Sequence, residues 1–258
     1  PDLVPADLVG TRIYNQKTGE FTTALGPVFA NLLLADEINR APAKVQSALL
    51  EVMQERQVTI AGETHRLEAP FLVMATQNPI ETEGTYPLPE AQVDRFMMKV
   101  LVGYPKEEEE FVIVQRVTGA APEVSAVATT AQLVALQRRC RTGFVDPALM
   151  QYAVRLVSVT RDPARHGLEA LAPLLSFGAS PRASIHLIEA GRALAFLRGR
   201  DYVLPQDVCD VAPDVLRHRL VLSYEALSEG VSADTLVQRV LAHVPMPEAP
   251  LQAHVRVA

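Results

Sequence analysis

Two adjacent carboxylates, Asp36 and Glu37, close a short apolar run, Leu32-Leu33-Leu34-Ala35. The carboxyl end of a buried strand is where open α/β sheets bind ligands. An acidic residue there can hold Mg2+, a hard cation that favours carboxylates, waters and phosphate oxygens. The carboxylate after it can polarise a water for attack on a phosphoryl group. The plainer reading is an acidic start to a solvated loop. Asn78 ends a second apolar run, 71–75 followed by Thr76 and Gln77. A neutral amide there can orient the attacking water and sense a γ-phosphate without adding charge, although Asn before Pro is also a turn former.

Two arginines complete the set. Arg95 sits in Asp94-Arg95-Phe96, just before a third apolar run. It fits either a salt bridge to Asp94 or Glu90, or a finger that spreads positive charge onto a phosphoryl group. Arg182 follows Ser180-Pro181, an N-cap and a first-turn proline. A cation in that turn opposes the helix dipole at a cost of up to ~1 kcal/mol. The cost is offset where the helix end and the arginine share an anion such as phosphate. Lys17-Thr18 imitates the end of a phosphate-binding loop, but Gln16 stands where its glycine belongs, and no G-x-x-x-x-G-K-[ST] occurs in the chain.

These residues need a scaffold of strands and helices. The runs 32–35, 71–75 and 97–102 read as strands whose continuous apolarity implies burial on both faces, as parallel strands between helix layers require. Between the first two, Val45, Ala48, Leu49, Val52 and Met53 mark an amphipathic helix over 43–55. Two hairpins are expected, 12–14 with 20–23, and 57–60 with 64–67. The acidic run 107–110 suits a first helical turn. A linker is placed at Gly119-Ala120-Ala121-Pro122, and helices are expected over 132–140, 147–160, 181–197 and 205–217. His65, His186 and Met97-Met98 read as hairpin, helix-face and core residues.

The 258 residues carry a net charge of −6 with no basic stripe, which argues against nucleic acid as the main partner. No apolar run is long enough to span a membrane and no signal peptide is visible. Cys140 and Cys209 have no ligand pattern around them and read as reduced cysteines of a cytoplasmic protein.

Longer motifs carry a resemblance. Residues 11–21 (TRIYNQKTGEF), 26–31 (GPVFAN), 34–42 (LADEINRAP), 51–58 (EVMQERQV), 75–81 (ATQNPIE), Asp94-Arg95-Phe96 and 178–183 (GASPRA) resemble the MoxR family of AAA+ ATPases across nearly the whole chain. The resemblance implies an α/β P-loop NTPase domain over 1–120, with inserts at 11–23 and 57–67 that face a ring's pore, then an all-α helical lid over 126–258. It implies ATP and Mg2+ as cofactors. It casts Asp36 and Glu37 as the Walker B pair, Asn78 as first sensor, Arg95 as a finger acting in trans and Arg182 as second sensor. It also implies a homo-hexamer, a von Willebrand factor A domain partner and a client protein that the motor remodels or activates.

The family's glycine-rich loop does not occur here, since only 35 residues precede Asp36 and the first insert uses most of them. The chain by itself is therefore expected to bind nucleotide poorly, and ATPase activity is expected of a longer parent. The runner-up readings are a magnesium-chelatase-like motor subunit and a non-hydrolysing assembly scaffold.

Overall fold

The computed structural model describes residues 2–78, 84–121 and 123–247. Residues 79–81 of the ATQNPIE motif and Pro122 of the expected linker lie outside the described residues. Two compact units are present, 1–96 and 97–258.

The first unit opens with a short helix, α1 (Pro5–Val9), and an antiparallel hairpin, β1 (Gly10–Asn15) with β2 (Glu20–Leu25). Next come β3 (Leu32–Ala35) and α2 (Ala43–Glu55), then a second hairpin, β4 (Gln57–Ile60) with β5 (Glu63–Arg66). The chain then forms β6 (Leu72–Ala75) and one turn of helix, α3 (Glu90–Val93). β3 and β6 pair in parallel, with Leu32 opposite Leu72 and Ala35 opposite Ala75. The extra residues of α2 beyond its apolar stripe are few, because Pro42 caps its start and Arg56 leaves it in the left-handed region (φ 51°).

The core of this unit joins Val52 of α2, Val58 and Ile60 of β4, Val28 and Phe71, with Leu33 and Val73 packed against them. Leu33 and Val73 thus occupy the covered face of the parallel pair. The other face carries Leu32, Leu34, Leu72 and Met74, all more than half exposed. Burial on both faces was the expectation from continuous apolarity. Among the described residues only one layer covers these strands, so a period-2 burial pattern results.

Residues 97–102 form no strand, contrary to expectation. A strand needs a neighbouring edge, and here the backbone of 97–99 is held instead by the segment 214–219: the Lys99 amide donates to the Asp214 carbonyl at 2.8 Å. Val100, Leu101 and Val102 are exposed. These bonds are also why the units divide at Phe96 and Met97, ahead of the 119–122 linker read from composition.

The second unit contains α4 (Glu107–Thr118), α5 (Thr130–Arg141), α6 (Pro147–Arg161), α7 (Pro181–Leu197), α8 (Pro205–Leu216), α9 (Tyr224–Ser228) and α10 (Ala233–His243). It is not purely helical. β7 (Leu175–Phe177) pairs antiparallel with β8 (Val221–Leu222), a two-residue strand too short to leave a periodic signal. α6, α7, α8 and α10 share one core, with Leu149, Leu156, Leu187, Leu216 and Leu236 inaccessible to solvent. Their caps follow from sequence: Asp146 accepts from the Ala148 amide at 2.7 Å, and Ser180 accepts from the Arg182 amide at 3.2 Å. α4 begins with Glu107, as the acidic run predicts, and every residue of it is exposed.

Candidate nucleotide-hydrolysis site

The in-register pair Ala35 and Ala75 brings the ends of β3 and β6 side by side, and the polar residues that follow each strand meet there. The link is Thr76. Its hydroxyl donates to Asp36 Oδ1 at 2.5 Å and accepts from the Glu37 amide at 2.8 Å. The backbone continues the pairing: the Thr76 amide donates to the Ala35 carbonyl at 3.0 Å, and the Ile38 amide donates to the Thr76 carbonyl at 3.0 Å. Asp36 is exposed and Glu37 half-buried, so both carboxylates are accessible at the strand ends.

Glu37 adopts φ 48° and ψ 50°, the left-handed region. For a side-chain-bearing residue this costs about 1–2 kcal/mol. Such conformations persist only where the surroundings over-determine them. Here the two Thr76 bonds on either side of Glu37 do so. The Glu37 carboxylate also meets Arg40 Nε at 3.2 Å across a partly exposed pair, which is worth at most about 1 kcal/mol.

Beneath this turn lies Gln46, 1% exposed on α2. Its side-chain amide donates to the carbonyls of Ile38 (3.1 Å), Ala41 (3.1 Å) and Tyr86 (3.0 Å). It thereby ties the Asp36–Arg40 turn to the segment that follows the motif around Asn78. Asn78 is half-buried, and its carbonyl accepts from Asn39 Nδ2 at 3.4 Å. Neither Thr76 nor Gln46 was singled out from sequence. A threonine at a strand end and a glutamine on a helix are both ordinary there; the parallel register reveals Thr76's partner, and the turn folded over α2 reveals those of Gln46.

The structure thus gathers Asp36, Glu37 and Asn78 at one end of the parallel pair. Arg95 lies in the same unit just after α3, its amide donating to the Gln92 carbonyl at 3.2 Å; its Nε is buried with no hydrogen-bond partner. Arg182 stands on the second unit, exposed in the first turn of α7 as its sequence context predicts.

The donors at the strand ends are hard oxygens, which suit Mg2+. Among the described residues no group of three or more His, Cys, Asp or Glu side chains forms a metal cage. Mg2+ needs none, because one or two carboxylates with waters and phosphate oxygens complete its shell. Asp36 fits that role, with Thr76 holding Oδ1.

Comparison with known proteins agrees with this geometry. Residues 1–98 match the ATPase family associated with various cellular activities (AAA), and residues 169–240 match the AAA lid domain. Chaperone MoxR1 of Mycobacterium tuberculosis is 57% identical over 257 residues, covering 98% of this chain and 68% of that protein. The chain belongs to the MoxR family of AAA+ ATPases. The uncharacterized protein YeaC of Bacillus subtilis is 44% identical over 249 residues, covering 96% of the chain and 75% of its own length. The crystal structure of a putative ATPase from Cytophaga hutchinsonii superposes with a TM-score of 0.91 at 49% identity, over 96% of this chain and 76% of that one. The MoxR-family fold, an α/β AAA+ domain followed by a helical lid, is therefore shared along nearly the whole chain. No helix among the described residues is long and apolar enough to cross a membrane.

Proposed function

We propose that the parent protein is an ATP-hydrolysing, chaperone-like motor in which Glu37 activates the attacking water. The observation that carries the reading is the Thr76 bridge, which fixes the two neighbouring carboxylates in different environments. Asp36 keeps one oxygen on the Thr76 hydroxyl, and Glu37 is held in the left-handed region by its amide bond to that hydroxyl, with its carboxylate beside Arg40. Asp36 would hold Mg2+ through water, and the ion when bound neutralises charge developing on the phosphoryl oxygens. Glu37 takes the proton of the water attacking in line with the departing ADP. Asn78 orients that water, Arg95 reaches the nucleotide of a neighbouring subunit, and Arg182 contacts the phosphates from the lid. This trans arrangement implies a ring, with a hexamer as the assembly proposed. A von Willebrand factor A domain protein is the proposed partner, and another protein is the proposed client, remodelled or activated.

The test is phosphate release from ATP by the longest encoded form of the protein beside its Glu37→Gln variant. Turnover that collapses in the variant while nucleotide binding survives supports the motor. No turnover by the unaltered protein at any concentration would leave an assembly scaffold instead.

A further inference from the structure

The carboxylate proposed as the base is already engaged. Glu37 enters a single turn of 3₁₀ helix, Ile38–Arg40, and Arg40 ends it. Such turns stack side chains three residues apart, and here the Glu37 carboxylate meets Arg40 Nε at 3.2 Å. The backbone beneath is fixed independently of that contact. The Glu37 amide is bound to Thr76, the Arg40 amide donates to the Glu37 carbonyl at 2.8 Å, and the Ala41 amide donates to the Ile38 carbonyl at 3.1 Å. Gln46 holds the Ile38 and Ala41 carbonyls from below. The turn therefore has its supports without the ion pair, and a partly exposed pair adds little to stability. What the pair changes is the condition of the carboxylate.

That condition bears on hydrolysis. Glu37 takes the proton of the water whose oxygen bonds to the γ-phosphorus as the bond to ADP breaks. A carboxyl that has gained a proton is neutral, so its attraction to Arg40 is forfeited in the same step. The oxygen that faces the guanidinium must also be turned towards the water or shared with it. Both effects oppose the reaction. Together they are bounded by the strength of the pair, up to about fivefold in rate for a partly exposed one.

We propose that Arg40 is a latch on Glu37, an ion pair that opens in each turnover and keeps hydrolysis slower than the carboxylate alone would make it. The inference rests on the reading of Glu37 as the base.

The experiment measures single-turnover hydrolysis of bound ATP by the longest encoded form of the protein. It compares the unaltered protein with Arg40→Ala, Arg40→Lys, Glu37→Gln and the double variant Glu37→Gln with Arg40→Ala. Arg40→Ala should hydrolyse ATP about 2- to 5-fold faster, with the steady-state KM for ATP unchanged. Arg40→Lys, which keeps a cation at the same spacing, should stay within about 1.5-fold of the unaltered protein. The double variant should be as slow as Glu37→Gln, because no carboxylate is left to release. A merely structural lesion slows the reaction and does not imitate this gain. If Arg40→Ala does not fold by circular dichroism, Arg40→Gln, which keeps much of the length without the charge, decides. An unchanged or lower rate in the variant that folds overturns the proposal. So does an equal gain in Arg40→Lys, or a gain that persists in the double variant, since Arg40 would then act otherwise than through its charge on Glu37. If Glu37→Gln hydrolyses ATP as fast as the unaltered protein, the base reading falls first and the latch with it.

Discussion

The Thr76 hydroxyl lies 2.5 Å from Asp36 Oδ1 and 2.8 Å from the Glu37 amide, so one side chain just after β6 holds both residues that follow β3. Removing the hydroxyl while keeping the β-branched shape isolates its contribution. Loss of a group that orients a metal-binding residue typically costs 10- to 100-fold. Thr76→Val should therefore lower ATP turnover of the longest form by about that factor and raise the Mg2+ needed for half-maximal rate. Thr76→Ser, which keeps the hydroxyl, should stay within about threefold of the unaltered protein. Equal activity of Thr76→Val across a Mg2+ titration would remove Thr76 from the site.

Gln46 donates to three carbonyls from a position that is 1% exposed. Each buried acceptor left unpaired costs about 1–3 kcal/mol. Gln46→Leu, similar in volume but without a donor, should destabilise the protein by about 3 kcal/mol in urea unfolding. It should also reduce turnover, because the turn bearing Glu37 loses its support. An unchanged unfolding midpoint would show that water replaces the amide.

Much of this was legible before the structure. The helix over 43–55 and that over 181–197 agree with their predicted bounds, because Pro42 and Ser180-Pro181 mark the starts chemically and the apolar spacing does the rest. Both hairpins formed where glycine-containing turns placed them. The errors share a cause, which is that apolarity reports a wish for burial and says nothing of what supplies it. The run 97–102 had the composition of a strand and no edge to join, and Leu34 and Met74 had the composition of a doubly covered sheet with one layer to meet. The chemistry of Asp36 and Glu37 could be read from their adjacency after an apolar run. Thr76 and Gln46 could not, since their roles come from partners 40 and 8 residues away.

The lid carries a charge cluster with its own pH signature. Asp207 is inaccessible to solvent on α8 and accepts from Arg200 through both oxygens, at 2.7 and 2.6 Å, from Arg198 at 2.8 Å and from the Leu204 amide at 2.8 Å. Burial by itself pushes its carboxyl up; the Arg200, Leu204 and Arg198 bonds outweigh that and hold its pKa below the usual range. A carboxyl depressed in the folded state stabilises above the unfolded pKa, about 3.9. That stability is lost as pH falls through the lower folded value. Asp207→Asn should cost about 3 kcal/mol near neutrality, the low end for breaking a buried pair, because Arg198 is partly exposed. As pH falls below about 4 the difference should shrink, vanishing only below the lower folded value, as the unaltered protein loses what the variant never had. A constant difference from pH 7 to pH 3 in denaturant unfolding would assign the cost to packing.

Gly178 touches the end of α6 so closely that the start of α7 depends on it. A Cβ built there would lie 2.3 Å from the Thr160 carbonyl oxygen and 2.6 Å from the Arg161 nitrogen, both backbone atoms that cannot swing aside. The next residue is fastened on both sides of its peptide: the Ala179 amide donates to Thr160 Oγ1 at 3.0 Å, and its carbonyl accepts from Arg161 Nε at 2.7 Å. Ser180 then caps α7, and Arg182 follows in the first turn. Gly178→Ala should therefore destabilise the helical unit by about 1–3 kcal/mol through overpacking. Because the strain is relieved by moving the cap of α7, nucleotide affinity should fall as well, to an extent matching Arg182→Gln. Calorimetry of ATP binding to the two variants tests the link. A Gly178→Ala protein that loses stability but binds ATP as tightly as the unaltered form would mean that the turn serves folding alone.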